Sequence, residues 1–116
     1  MTSNPSKVDA AKILRTLPYE QGFHFTDNKG VHLGITATSL LDFAMKLAIV
    51  DPTSIVYHYR HGHFQKWIKD TLGDEELANR ISHTKKTYFA KPVLVVEELR
   101  NDLLKIVQKR LSELQS

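Results

Sequence analysis

The stretch TSIVYHYR, residues 53–60, decides how this chain folds. β-Branched and aromatic residues fill it, a composition that favours an extended strand. Ile55, Tyr57 and Tyr59 would line one face and Val56 and His58 the other, so both sides carry bulk. A strand with two useful faces sits mid-sheet or is covered on both sides. Asp51-Pro52 ahead of it closes the preceding segment, because a residue before proline is pushed out of the helical region. On these grounds residues 53–60 are expected to form a third strand.

Upstream lies a hairpin. Phe23 and Phe25 alternate with His24, DNKG (Asp27 to Gly30) supplies turn chemistry, and Val31, Leu33 and Ile35 alternate with His32 and Gly34. A period of two places the apolar set on one face and turns His24 and His32 to solvent. Ser39 and Asp42 stand at capping-box spacing and open the helix LLDFAMKLAIV, whose Leu40, Phe43, Ala44 and Leu47 share a face. With that helix between strands two and three, the third strand is expected beside the first, in the antiparallel order 2-1-3. Further upstream, residues 1–5 are expected to be flexible. A second capping box, Ser6 and Asp9, then opens a helix carrying Val8, Ala11, Leu14 and Leu17 until Pro18 stops it.

Downstream, His61-Gly62 ends the strand and HFQKWIKDTL (residues 63–72) begins a helix with Phe64, Trp67, Ile68 and Leu72 inward. Gly73 suits the stop of that helix, and Asp74 the N-cap of the next, EELANRI. SHTKKTYFAKP (residues 82–92) reads as a polar connector. Residues 93–114 read as a long helix, with Glu97 and Glu98 early and Lys105, Lys109 and Arg110 late, which suits the helix dipole. The expected fold class is therefore α+β: a small three-stranded antiparallel sheet covered by helices, with a long C-terminal helix, residues 6–116 forming one domain.

Bulk properties exclude several functions. The chain has 116 residues, 41% of them hydrophobic and 25% charged, as in globular domains. It contains no cysteine, so disulfides, thiol catalysis and thiolate zinc sites are excluded. The N-terminal segment lacks the apolar run of a signal peptide, and no stretch approaches the roughly 20 apolar residues of a membrane span. A cytoplasmic protein without membrane contact is expected. Net charge is +3, but acids interleave with the bases and no basic stripe forms.

Three of the six histidines crowd into HYRHGHFQKW, residues 58–67. Three imidazoles could ligate a metal, yet no carboxylate lies within the stretch to orient them and Arg60 would repel a cation. No metal is expected; the stretch reads as histidines at a strand end and turn, on a surface where His58, Arg60, His61, His63 and Lys66 could receive an anionic group. Phe64 and Trp67 read as core anchors. Ser39 and Ser54 have structural explanations, no G-x-S-x-G elbow surrounds either, and no glycine-rich phosphate loop is visible. Neither catalytic residues nor a cofactor are expected. The helix–Gly73–helix unit has the outline of a helix-turn-helix, but Asp74, Glu75 and Glu76 stand where a recognition helix meets phosphates. Nucleic-acid binding would fall instead to dispersed bases such as Arg60, Lys66 and Lys69. On the last helix, Leu99, Leu103 and Ile106 adjoin a second stripe, Leu104, Val107, Leu111 and Leu114. One stripe suffices for a three-stranded sheet, so the other suggests a homodimer or protein partner.

Several segments together resemble a family of small prokaryotic domains of unknown function, some of them beside or fused to glycosyltransferase-type proteins. They are FHF (residues 23–25), GITATSLLDFAMKL (34–47), GHFQKWIKDTLGDEELANRI (62–81) and, more weakly, EELRNDLLKIVQKRL (97–111). The run G-x-F-x-x-W-I followed by L-G-D-E-x-L-A is the specific part. The resemblance implies a shared fold and carries no catalytic residues, cofactor or substrate. The leading expectation is a non-enzymatic interaction or regulatory module, homodimeric. Alternatives are a nucleic-acid-associated protein and an accessory domain of sugar metabolism.

Overall fold

A computed structural model of the chain describes residues 10–91 and 95–116. The expected flexible residues 1–5, the capping box Ser6–Asp9 with Val8, and the expected first residues of the last helix (93 and 94) lie outside that range. Residues 10–13 are helical, and a single 3-10 turn, Tyr19–Gln21, leads into the hairpin strands β1 (Phe23–Thr26) and β2 (His32–Ala37). The helices α1 (Leu40–Leu47), α2 (Pro52–Arg60) and α3 (His63–Trp67) follow, the last widening into a π turn, Ile68–Leu72. Then come α4 (Glu75–His83), α5 (Lys85–Phe89) and the long α6 (Val96–Gln115).

The fold is α+β with a long C-terminal helix, but among the described residues its sheet has two antiparallel strands and no third. Residues 53–60 form α2 instead. Asp51 does not close the preceding helix; its side chain accepts the Thr53 N–H at 2.8 Å, and Pro52 takes the first helical position. Proline is favoured there because that N–H has no helical partner to lose. The buried residues are Ser54, Ile55, His58 and Tyr59, a helical stripe rather than a strand alternation. Local β propensity lost to this cap and to burial of one helix face. Helix α2 lies against β1, in the place where the third strand was expected.

The hairpin also departs from simple alternation. Phe23, His24 and Phe25 pair with Ala37, Thr36 and Ile35, but Thr26 pairs with His32, so β2 carries a bulge. Gly34 within it has φ +78°. Beyond the bulge Val31 and Leu33 are exposed, so the apolar face expected of β2 is covered only near Ile35 and Ala37. Asp27 Oδ1 accepts the N–H groups of Lys29 (2.8 Å) and Val31 (3.0 Å), which fixes the turn between the strands.

Phe23, Phe25, Phe43, Phe64 and Trp67 pack under the hairpin with several ring centroids 4.8–5.7 Å apart. Helix α1 starts as expected: Ser39 Oγ accepts the Asp42 N–H at 3.0 Å, while the Asp42 carboxylate accepts the Thr38 N–H. Leu40, Phe43, Ala44 and Leu47 are all buried. Ile13 of the first helix and Leu17 in the segment after it are buried, whereas Ala11 faces solvent. The segment expected as a polar connector is largely helical. Its α5 buries Tyr88, whose hydroxyl donates to Asp102 of α6.

Helix α6 ties the helices together. Leu99, Leu103, Val107, Leu111 and Leu114 are buried. Arg100 donates through Nη1 to the carbonyls of Leu47 and Val50, both at 2.9 Å, satisfying the C-terminal end of α1. Arg110 grips Asp74 with two hydrogen bonds, 2.9 and 3.1 Å, and both side chains are buried.

Candidate functional site

The histidines converge because of one glycine. Gly62 adopts φ +72° between α2 and α3, turning the chain so that His63 folds back onto His58. This left-handed position suits glycine, which has no Cβ to clash. His58 is not at an exposed strand end; it is 4% exposed, inside the last turns of α2.

The hydrogen bonds fix its proton. The Thr26 N–H of β1 donates to His58 Nε2 at 3.0 Å, so that nitrogen carries the lone pair. In the neutral ring the proton is then on Nδ1, which donates to His63 Nδ1 at 2.9 Å. His63 in turn keeps its own proton on Nε2. Burial holds the His58 pKa down, to about 4, and the neighbouring His63 and His61 push it the same way. His63 is lowered as well, chiefly by burial and then by His61. No carboxylate hydrogen-bonds to either ring among the described residues. His58 therefore works as a neutral pin: it takes a β1 N–H that, among the described residues, no neighbouring strand accepts.

His61 stands apart from this chain. Its Nδ1 donates to the Tyr57 carbonyl at 2.8 Å, and its ring stacks on His63 at 5.5 Å and 25°. The Tyr57 ring packs against all three imidazoles. Among the described residues no group of three or more His, Cys, Asp or Glu is arranged to hold a metal ion.

Four of the five residues expected to form one anion-receiving surface are divided between two grooves, and the fifth, His58, is buried and lines neither. Arg60 and His61 line a cavity of about 330 Å³ with Asn28, Thr53, Val56 and Tyr57. His63 and Lys66 line a smaller one of about 220 Å³ with Trp67, Asp70 and Thr71, where Lys66 faces Asp70 at 3.5 Å. A third groove, about 580 Å³, lies between α4 and α6 and involves Glu76, Asn79, Arg80, His83, Ile106 and Lys109. Arg80 is held there by Glu76 and Glu113. Its residues come from segments far apart in sequence, so no local pattern marks it.

Other conspicuous residues of the stretch hold the scaffold. Phe64 is fully buried, and Trp67 donates its indole N–H to the Gln21 carbonyl at 2.9 Å. Gly73 has φ +87° at the end of the π turn, and Asp74 accepts the Leu77 N–H at the start of α4. Its second role, as partner of Arg110, left no mark in the sequence.

The family model of DUF5752, a family of unknown function, matches residues 20–116. The chain belongs to this family. No curated protein and no solved structure matches it. The DUF5752 match takes in the hairpin, the histidine corner and all three grooves. The family assigns no role to any of these residues, so function has to be argued from geometry. Among the described residues no helix is long and apolar enough to cross a membrane.

Two apolar surfaces matter for that. The stripes of α6 are used within the domain: Leu99, Leu103, Val107, Leu111 and Leu114 are buried, and Leu104 and Ile106 are partly covered. The uncovered row lies on the outer side of α1 and its continuation, where Leu41, Met45 and Ile49 are 54%, 60% and 71% exposed.

Proposed function

We propose that the chain is a non-catalytic interaction module that pairs with a second copy of itself through the outer face of α1. The observation that carries this is the row Leu41, Met45, Ile49, three large apolar side chains at four-residue steps, all left to solvent. Residues four apart stack along one helix face, so the row is continuous. Burying it recovers roughly 25 cal/mol for each Å² of apolar surface. A row of like residues suits a twofold axis, where the same patch appears on both partners. Met45, midway along it, would lie nearest the axis. Asp42 and Lys46 border the row and pair at 2.6 Å, so neither presents an uncompensated charge to an identical neighbour.

Light scattering across the micromolar range tests the proposal. Wild type should shift from monomer toward dimer with concentration. Met45→Glu should stay monomeric with an unchanged circular dichroism spectrum, because the side chain is exposed. A wild-type mass that stays monomeric at every concentration would end the proposal.

A further inference from the structure

We infer that the groove between α2 and the β1–β2 turn binds the oxyanion of a small ligand, with Arg60 as its principal donor. This goes beyond the pairing surface and does not depend on it, since it concerns a different helix.

Arg60 is set apart by what the other arginines do. Arg15 donates to the carbonyls of Lys12 and Thr71, Arg80 is held by Glu76 and Glu113, Arg100 by Glu97 and two carbonyls, and Arg110 by Asp74 and Glu113. Arg60 alone has no hydrogen-bond or ion-pair partner among the described residues. A guanidinium presents a planar fork of donors that matches a carboxylate or phosphate with two parallel bonds. The groove beside it contains no acidic side chain in its lining.

Its other walls supply uncommitted polar groups. The Thr53 hydroxyl and the Asn28 amide have no hydrogen-bond partners among the described residues, although the Thr53 N–H is taken by Asp51. The bond from His61 Nδ1 to the Tyr57 carbonyl leaves its Nε2 without a hydrogen-bond partner among the described residues. Thr53, Val56, Tyr57 and Arg60 recur at three- and four-residue steps, so they share one face of α2. Asn28 approaches from the turn that Asp27 fixes, and the Thr26–His58 bond holds that hairpin against α2. The site is thus organised before any ligand arrives. Val56 and Tyr57 add an apolar wall for the uncharged part of a ligand.

Ligand size follows from the cavity. About 330 Å³ sits at the small end of ligand pockets, which run from roughly 300 to 1,000 Å³. That suits a small molecule with one terminal oxyanion, a phosphate monoester or a carboxylate, rather than an extended nucleotide. The competing explanation is that Arg60 only complements the negative end of the α2 dipole, an effect that needs no groove.

Amide chemical shifts of the full chain decide between them, measured while inorganic phosphate, sodium acetate or sodium chloride is titrated at matched ionic strength. Saturable shifts should gather at Asn28, Thr53 and residues 57–61 and leave Leu41–Ile49 unmoved. Phosphate alone producing them assigns a phosphate ligand, acetate alone a carboxylate, and both a general oxyanion site. Arg60→Ala should weaken binding about tenfold or more, as expected for a charged hydrogen-bond pair, and Arg60→Lys should restore part of it. Shifts no larger than those with chloride, or undiminished binding by Arg60→Ala, would leave Arg60 a dipole partner only and overturn the inference.

Discussion

Lowering the pH from 7 to 4.5 should loosen the attachment of α2 to the hairpin, and His58 sets the size of the effect. In the folded chain His58 is neutral, its Nε2 occupied by the Thr26 N–H and its pKa held near 4, against an ordinary value of 6.5. The unfolded chain binds a proton at that ordinary value, so between pH 6.5 and 4 it carries more protons than the folded one. Stability therefore falls as pH falls through this window, and the contribution is fully present above 6.5. Each unit of difference corresponds to about 1.4 kcal/mol, which gives about 2.5 kcal/mol lost by pH 4.5. His63, lowered in the same direction, adds to the same slope. Asp27, Asp42 and Glu113 are also lowered, so their losses come on mainly as pH drops below the ordinary carboxylate range. Stopping at pH 4.5 keeps most of that contribution out.

Urea unfolding followed by the fluorescence of the single tryptophan, Trp67, measures this directly. The wild-type midpoint should fall steadily from pH 6.5 to 4.5 with an unchanged m-value. His58→Gln can still accept the Thr26 N–H through its amide oxygen but cannot titrate, so it should flatten most of the slope. A wild-type stability that is level across the window would refute the reasoning. So would a His58→Gln variant that keeps the full slope.

Other outcomes follow from the packing. Trp67→Ala should cost roughly 3–5 kcal/mol, since it empties a core position and removes the bond to the Gln21 carbonyl. Arg60→Ala and His61→Ala, both exposed, should stay within about 0.5 kcal/mol of wild type in the same unfolding assay. Asp74→Ala takes the buried carboxylate from Arg110 and the cap from α4, and should cost about 3–5 kcal/mol. Asp74→Asn keeps the cap and should cost less.

Much of the fold was legible in the sequence because local chemistry and tertiary packing agreed there. The Ser39 cap, the inward face Leu40–Leu47, the Gly73 stop and the anchors Phe64 and Trp67 are all where periodicity and capping place them. Residues 53–60 misled because valine, isoleucine and tyrosine favour strands locally, while burial of Ser54, Ile55, His58 and Tyr59 favours a helix. Two clues pointed the right way. Asp51-Pro52 is a helix-start signature as much as a stop, and bulk on both sides of a supposed strand is what a helical stripe looks like when read with a period of two. The connector at residues 82–92 looked polar because α5 buries chiefly Tyr88. In the candidate site, the cluster of histidines was visible, but its division was not. Only the turn at Gly62 and the long-range bond from Thr26 reveal that His58 belongs to the core and Arg60 to a groove. The Asp74–Arg110 pair joins residues 36 apart and the groove between α4 and α6 joins two distant segments, beyond the reach of periodicity.

The pairing of α1 with a second α1 is tested most directly by cross-linking, because the chain has no cysteine to complicate the result. A single cysteine introduced as Met45→Cys, close to the proposed twofold axis, should form a disulfide-linked dimer under mild oxidation. Gln108→Cys, exposed on α6, should stay monomeric under the same conditions. Equal, low yields from the two variants would contradict the account.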